Sequence, residues 1–303
     1  MRIENVAIIG KGALGMLFGS LMAAHLGEDA VKFVMDDARY ARHQGEVLTV
    51  NGVVCDVPTI PLSQAAPVDL VIVAVKSTGL DAAIDSIEPL VKPGTRIVSV
   101  LNGVTSEQRI AARYGWENVP ITVAQGMDAV FIGSELTYSQ TGELHIGAAA
   151  QTAPETIDDL VEFFTRTQVP FVVEDDIQHR LWTKFMLNVG VNQTCMVYGS
   201  TYADVIAPGE QNRCFIAAMR ETLAVGRAEG VNLSEADLTE MARLIETLDP
   251  TNMPSMAQDR LNGKRTEVEE FSGTIIRLAE KHDILVPCNR FLYERVREIE
   301  AQM

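Results

Sequence analysis

The chain has 303 residues, carries a net charge of −16 at pH 7, and is 47% hydrophobic. This length allows two domains with hydrophobic cores, or one large domain. Because so acidic a chain repels phosphate backbones, its charge excludes a broad nucleic-acid-binding surface, while a small basic pocket for an anionic substrate remains compatible with it.

The cysteines and histidines give no sign of a metal site. Cys55, Cys195, Cys214 and Cys288 form no C-x-x-C motif, and the five histidines are scattered. We therefore expect free thiols in a reducing compartment, and neither zinc ligands nor a disulfide framework. No apolar run reaches the ~20 residues of a membrane span, and the first strand pattern begins close to Met1. These features predict a cytoplasmic protein without a membrane span.

Strand and helix patterns alternate in the first half of the chain. Strand patterns are VAIIG, AVKFVMD, DLVIVAVK, TRIVSVLNG and PFVVEDD, and helical patterns are ALGMLFGSLMAAHLG, LDAAIDSIEPLV and PETIDDLVEFFTRTQ. Runs as apolar as VIVAV are typical of strands buried on both faces of a parallel sheet. The alternation predicts a doubly wound α/β domain of the Rossmann type. Within it, residues 119–133 and 136–148 predict antiparallel strands with a turn near Thr141 and Gly142.

The pattern changes near residue 177. From IQHRLWTKFMLNVGVNQTCMVYG onward the chain has almost only helical spacing, interrupted by short stretches that contain Pro or Gly. An alternating part followed by a run of helices predicts two domains. We expect a Rossmann-type NAD(P)-binding domain over residues 1–177 and an all-α domain, for substrate binding and dimerisation, over residues 178–303. A homodimer is compatible with the apolar faces of the helices.

A glycine-rich loop follows the first strand pattern. Gly10, Gly12 and Gly15 lie where the strand ends and a helix begins, with Ala13 and Leu14 between them. Such glycines allow a tight turn, the approach of a pyrophosphate to the backbone, and close packing of helix and strand. The start of the helix then faces the phosphates with the positive end of its dipole. The loop predicts a dinucleotide site, and the alternative is a glycine-rich turn without a ligand.

An acidic residue follows the second strand pattern, as this type of site requires. A carboxylate at Asp36 accepts hydrogen bonds from the ribose hydroxyls of NAD and repels a 2′-phosphate. Arg39 and Arg42 follow closely and could instead bind a 2′-phosphate, or simply lie on a solvated helix. The residues alone leave the choice between NAD(H) and NADP(H) open.

Two polar residues end buried strand patterns. Lys76 follows VIVAV, and Asn102 follows IVSVL. Ligands of open α/β sheets bind outside the carboxyl ends of the strands, so both residues are candidates for a site there. The alternatives are an ordinary first exposed residue for Lys76 and a turn for the Asn102-Gly103 pair.

A polar stripe lies on the apolar helical segment LWTKFMLNVGVNQT. Lys184, Asn188 and Asn192 are spaced i, i+4 and i+8, so they share one helical face. Asparagine is a poor helix former, and buried amides need partners. One ammonium and two amides suit a polar, anionic substrate, and the ammonium could protonate a carbonyl oxygen during reduction. The alternative is a buried polar network.

A third group of candidates lies in NMPSMAQDRLNGKRTEVEEFSG. Ser255 follows a proline and could contact a substrate or cap a helix. Glu267 could contact a substrate, or could lie in the first turn of a helix, where acidic residues are common.

Together these stretches resemble the ketopantoate reductase family. The similarity covers essentially the whole chain, through IIGKGALG, VIVAVKS, LNGV, WTKFMLNVGVN, PSMAQDRLNGKRTEVEEFSG and ILVPCN. The resemblance implies a Rossmann domain joined to a helical domain, and NADPH-dependent reduction of 2-dehydropantoate to pantoate, a step towards coenzyme A.

The resemblance also implies roles for single residues. Lys184 is similar to the general acid of the family, and Glu267 to its active-site glutamate, near substrate and cofactor. Asn188, Asn192 and Ser255 resemble substrate-binding residues. Lys76 and Asn102 match the lysine and asparagine that lie near the nicotinamide and the substrate on the Rossmann side.

Two departures from the family pattern stand out. Many members have an arginine near the end of the second strand, where this chain has Asp36 and Asp37, and glutamine often precedes the asparagine of LNG. We therefore expect NADP(H) from the resemblance, with NAD(H) as the alternative that Asp36 favours. Rival hypotheses are another 2-oxoacid reductase or a 3-hydroxyacid dehydrogenase of the same architecture, and a non-catalytic NAD(P)-binding sensor.

Overall fold

The computed structural model describes residues 1–27 and 29–303, and these form two compact units, Met1–Ile177 and Gln178–Met303. The strands are β1 Val6–Ile9, β2 Val31–Met35, β3 Thr49–Val50, β4 Val53–Val54, β5 Thr59–Pro61, β6 Leu70–Val73, β7 Arg96–Ser99, β8 Ile121–Met127, β9 Val130–Ile132, β10 Glu135–Thr137, β11 Thr141–Gly147 and β12 Phe171–Val173. The helices of the first unit are α1 Ala13–Leu26, α2 Asp37–His43, α3 Leu80–Ser86, α4 Ser106–Tyr114 and α5 Pro154–Thr167. The remaining helices are α6 Ile177–Tyr198, α7 Tyr202–Ile206, α8 Glu210–Ala228, α9 Glu235–Glu246, α10 Ser255–Leu261, α11 Thr274–Lys281 and α12 Pro287–Glu300, with a π-helical turn over Glu269–Gly273.

The first unit is built on a five-stranded parallel sheet in the order β5-β2-β1-β6-β7. Every residue of β1, β6 and β7 is buried, which explains the continuously apolar sequences of β1 and β6. The strand order changes direction between β1 and β6, and such switch points are where open α/β sheets bind ligands. The predicted Rossmann-type α/β fold is confirmed.

The antiparallel part of the first unit differs from the prediction in its turns. Strands β8 and β11, of seven residues each, pair in antiparallel fashion, but two further strands, β9 and β10, form a hairpin between them in the sequence. The hairpin turns at Gly133, which has a φ of +61°. Thr141 begins β11 and the chain bends at Ser139, so the turn predicted near Thr141 and Gly142 lies a few residues earlier. Gly142 has a φ of +61°, and a Cβ there would lie 2.3 Å from the carbonyl oxygen of Gln125, so this glycine serves the close pairing of β8 and β11.

The second unit is all helical, as predicted, and α6 is its longest helix. Helix α8 packs so closely on α6 that a Cβ at Gly190 would lie 2.6 Å from the side chain of Met219 and 2.8 Å from that of Phe215. Gly226 of α8 makes a similar approach to Trp182 of α6. Glycine is therefore required at both crossings, and the crossings hold α6 in a defined position. Among the described residues, no helix has the length and apolarity to cross a membrane.

Candidate active site

The glycine loop has the geometry of a phosphate-binding turn. Gly10 has a φ of +111°, and a Cβ there would lie 2.4 Å from the carbonyl oxygen of Ala74. A Cβ at Gly15 would lie 2.0 Å from the carbonyl oxygen of Gly10. A Cβ at Gly12, in contrast, would have no heavy atom within 4 Å. Gly10 and Gly15 are therefore required by packing, whereas Gly12 lies open to an approaching ligand.

The start of α1 is suited to an anion. Gly12 is the N-cap of this 14-residue helix, and no side chain caps its first turn. The amide groups of Ala13 and Leu14 belong to that turn, where backbone N–H groups lack partners inside the helix. This arrangement, with the helix dipole behind it, fits the pyrophosphate of a dinucleotide.

Asp36 occupies the end of β2 as the N-cap of α2. Its Oδ1 accepts a hydrogen bond from the backbone N–H of Arg39 at 2.8 Å. The neighbouring Asp37 Oδ1 accepts a hydrogen bond from the Ser63 hydroxyl at 2.6 Å. Asp36, Arg39 and Arg42 are exposed, so the carboxylate that could meet a ribose also stabilises the first turn of α2.

Lys11 is a candidate that the sequence analysis missed. It lies between Gly10 and Gly12, and its side chain reaches a cavity of about 210 Å³. The ammonium Nζ donates a hydrogen bond to Thr59 Oγ1 at 2.8 Å and lies 5.7 Å from the ring centroid of Phe33. Burial lowers the pKa of Lys11, and the charge of Glu46 partly opposes this shift. Position 11 is one of the variable positions of the glycine pattern, so the pattern alone does not indicate a role for Lys11.

Lys76 and Asn102 lie at matching positions just beyond the ends of neighbouring strands. Strands β6 and β7 are parallel with Val73 opposite Ser99, and each polar residue follows its paired position by three residues. Lys76 is exposed and Asn102 is half-buried. The structure thus brings both residues to the sheet edge that also carries the glycine loop.

In the second unit, the three residues of the predicted stripe share one face of α6, and two of them are hydrogen-bonded to each other. Asn192 is 5% exposed, and its Nδ2 donates to Asn188 Oδ1 at 3.3 Å. Lys184 and Asn188 are half-buried on the same face. Ser255, the first residue of α10, donates its hydroxyl hydrogen to Asn192 Oδ1 at 3.0 Å. Ser255 is exposed and does not cap α10, whose N-cap is Pro254.

Helix α10 is attached to α6 at a second point. Arg260 donates to the carbonyl oxygens of Met196 and Val197 at 2.6 and 3.0 Å, near the carboxyl end of α6. These bonds satisfy carbonyl groups that a helix end leaves without partners. Ser255 is therefore held beside Asn192 by contacts at both ends of α10.

Glu267 lies just before the π-helical turn rather than inside a helix, and it is 9% exposed. Its carbonyl oxygen accepts hydrogen bonds from the N–H groups of Glu270 and Phe271 at 3.0 and 3.1 Å. A buried network lies next to the polar row: Gln193 Oε1 accepts from the Ser272 N–H at 3.2 Å, and Gln193 Nε2 donates to Val189 O at 2.7 Å. Gln193 was not among the predicted residues, because it lies on a different face of α6 from the stripe.

Comparisons with known proteins agree along the whole chain. The family model described as ketopantoate reductase PanE/ApbA matches residues 6–151, and its C-terminal counterpart matches residues 176–300. A 2-dehydropantoate 2-reductase of Halobacterium salinarum is 27% identical over 97% of this chain and 98% of the relative.

Solved structures share the fold over nearly their full length. The PanE/ApbA family ketopantoate reductase of Ralstonia eutropha JMP134 is 27% identical, with a TM-score of 0.85 over 98% of this chain and 99% of that one. A D-mandelate dehydrogenase solved with NADH and anilino(oxo)acetate has a TM-score of 0.88 at 22% identity, with the same coverage. The second likeness, at this identity, concerns the fold alone.

Proposed function

The chain belongs to the ketopantoate reductase family of NAD(P)H-dependent oxidoreductases, and we propose that it reduces 2-dehydropantoate to pantoate. The observation that carries the proposal is the polar row on α6, with Asn192 bonded to both Asn188 and Ser255. The substrate has a carboxylate, a ketone and a hydroxyl group, and a row of amides with a hydroxyl and an ammonium can bind all three. A sensor without catalysis would not need an ammonium in that row.

Lys184 is the proposed general acid. A bound nicotinamide dinucleotide supplies the hydride that reaches the ketone carbon. Lys184 Nζ then gives a proton to the ketone oxygen, and before that its charge stabilises the negative charge that develops there. Asn188, Asn192 and Ser255 orient the carboxylate and hydroxyl of the substrate, and Glu267 supplies a carboxylate to the same site.

The first unit is proposed to bind the dinucleotide. The open position at Gly12 and the uncapped start of α1 fit a pyrophosphate. Lys76 and Asn102 are proposed to contact the nicotinamide half, because they follow the strands on the far side of the switch point.

NADPH is the proposed donor, in keeping with the family. Arg39 and Lys11 are cations available for a 2′-phosphate, while Asp36 opposes one. The variant Asp36→Asn retains a good N-cap for α2 but removes the charge. If Asp36 faces the ribose, loss of its charge lowers the KM for NADPH more than the KM for NADH. Asp37→Asn serves as the matched control.

A second candidate is reduction of an aryl 2-oxoacid, because the D-mandelate dehydrogenase shares this fold at a TM-score of 0.88. Both substrates contain the same 2-oxoacid group and differ in the side chain. The polar row can bind that common group in either case, so only kinetics separates the two candidates.

The test follows oxidation of NADPH and of NADH with 2-dehydropantoate, phenylglyoxylate and a 3-oxoacid. We expect the highest kcat/KM with 2-dehydropantoate. A higher value with phenylglyoxylate or the 3-oxoacid assigns the enzyme to that substrate class. Binding of both dinucleotides with no turnover on any of the three acids contradicts the proposal and favours a sensor. Light scattering on the same samples tests the predicted homodimer.

A further inference from the structure

Two cysteines that are 74 residues apart in sequence meet in the second unit. Cys214 lies in the second turn of α8, and Cys288 lies in the first turn of α12. Their Sγ atoms are 3.5 Å apart, and Cys288 Sγ also lies 3.3 Å from the carbonyl oxygen of Cys214. Both residues are half-buried and are therefore within reach of small molecules from solvent.

The backbone around this pair is tightly held. Glu221, two turns after Cys214 on α8, accepts hydrogen bonds from the N–H groups of Cys288 and Asn289 at 2.8 and 2.9 Å. It also accepts from Asn289 Nδ2 at 2.8 Å, and Asn289 is fully buried. The carboxylate thus caps the start of α12 from α8, where the helix dipole favours a negative charge. Because both helices are fixed, the two sulfur atoms remain close.

The two thiols differ in acidity. The two sulfur atoms share a hydrogen bond in which either thiol could be the donor, and this bond lowers the pKa of Cys214 although burial opposes the shift. The same contact raises the pKa of Cys288, and burial raises it further. Cys214 is consequently the better nucleophile, and Cys288 is placed to react second.

We propose that Cys214 and Cys288 are a site of reversible oxidation, which closes to an intramolecular disulfide on reaction with a low-molecular-weight disulfide. The Cys214 thiolate attacks one sulfur of the oxidant, forms a mixed disulfide and releases one thiolate. Cys288 then loses its proton and attacks Cys214 Sγ, which expels the second thiolate. The protein loses two electrons and two protons, and the oxidant is reduced to two thiols.

The closure is small. A disulfide has an S–S distance of about 2.05 Å, so the sulfur atoms must approach by roughly 1.5 Å. We expect rotation of the two half-buried side chains to supply this movement. The bond links α8 to α12 across a long stretch of chain, and we expect the oxidised protein to have a higher Tm.

The other cysteines provide controls. Cys195 is buried, and burial raises its pKa to about 12. Cys55 is half-buried like the proposed pair but belongs to the first unit. Cys55→Ser is therefore the matched control for Cys214→Ser and Cys288→Ser.

The experiment treats the full-length protein with oxidised glutathione and counts free thiols after unfolding. We expect the four thiols of the wild type to fall to two, with a Cys214–Cys288 peptide in the non-reducing digest and recovery by dithiothreitol. Cys55→Ser must still form this peptide. Neither Cys288→Ser nor Cys214→Ser should form this peptide, and Cys288→Ser should retain a glutathione adduct on Cys214.

Three results overturn the proposal. These are four free thiols in the wild type after treatment with oxidised glutathione, a loss of thiols that maps to Cys55 or Cys195, and a disulfide between two chains instead of within one chain. The readouts are thiol counts, peptide masses and Tm, so they do not depend on the reductase activity or on its substrate.

Discussion

Asn192 Oδ1 accepts hydrogen bonds from the Ser255 hydroxyl at 3.0 Å and from the backbone N–H of Met256 at 3.4 Å. These donors set the orientation of the amide, so that its Nδ2 points along α6 to Asn188. Asn192 therefore joins α6 to α10 from a buried position, whereas Ser255 is exposed. The two residues are neighbours, but Asn192 contributes more than Ser255 to holding the two helices together.

Asn192→Ala and Ser255→Ala should separate these roles. Asn192→Ala removes the acceptor of two donors in a buried position, and we expect a loss of about 1–3 kcal/mol in the free energy of unfolding. Ser255→Ala changes an exposed residue, so its effect on stability should stay within about 0.5 kcal/mol while KM for the 2-oxoacid rises. Urea unfolding and steady-state kinetics check both. Equal stability losses contradict this assignment.

Lys184→Met should remove the proposed proton donor but keep the apolar stem of the side chain. We expect kcat to fall by roughly 10²–10⁴-fold, the usual range for loss of a general acid. Because Lys184 is only half-buried, Tm should change little. Lys281→Met is the control, since Lys281 pairs with Glu229 on the surface of the same unit. A Lys184→Met enzyme with near-normal kcat excludes the acid role.

Gly12→Ala should weaken dinucleotide binding, whereas Gly10→Ala should lower the stability of the fold. A Cβ added at Gly12 would enter open space, so Gly12→Ala should fold normally and bind the dinucleotide at least about tenfold more weakly, because the methyl group blocks the approach of the phosphates. A Cβ at Gly10 would lie 2.4 Å from backbone, and the φ of this residue, +111°, is unfavourable for alanine. Gly10→Ala should therefore lose stability even without a ligand. Calorimetry of dinucleotide binding and thermal unfolding check the pair. Normal binding by Gly12→Ala contradicts a phosphate site at this loop.

The sequence predicted those parts of the fold and site that depend on local pattern. Lys76 and Asn102 are an example, because each ends a continuous apolar run and parallel strands bring such ends to one edge. The stripe on α6 is another, because helical spacing alone aligns Lys184, Asn188 and Asn192.

Features that depend on distant pairing were not predicted. Cys214 and Cys288 meet only because α8 and α12 pack together, and no spacing rule links residues 74 positions apart. The Lys11 cavity likewise needs β5, which brings Thr59 to the lysine. Glycine is frequent in turns, and the sequence predicts a turn near Gly142, whereas this residue lies inside β11 and serves strand pairing.

Asp69 should make the stability of the first unit depend on pH. Its carboxylate is buried, which raises its pKa, but hydrogen bonds from Lys92 and from the N–H groups of Glu4 and Asn5 outweigh burial and lower it. A depressed folded-state pKa means that the stabilisation is fully present above the unfolded-state value of about 3.9 and is lost as the pH falls through the folded-state value. Asp69→Asn should therefore be less stable than the wild type at neutral pH, with a gap that narrows in acid. Urea unfolding at several pH values tests this, and a gap that does not change with pH shows that the carboxylate charge contributes nothing.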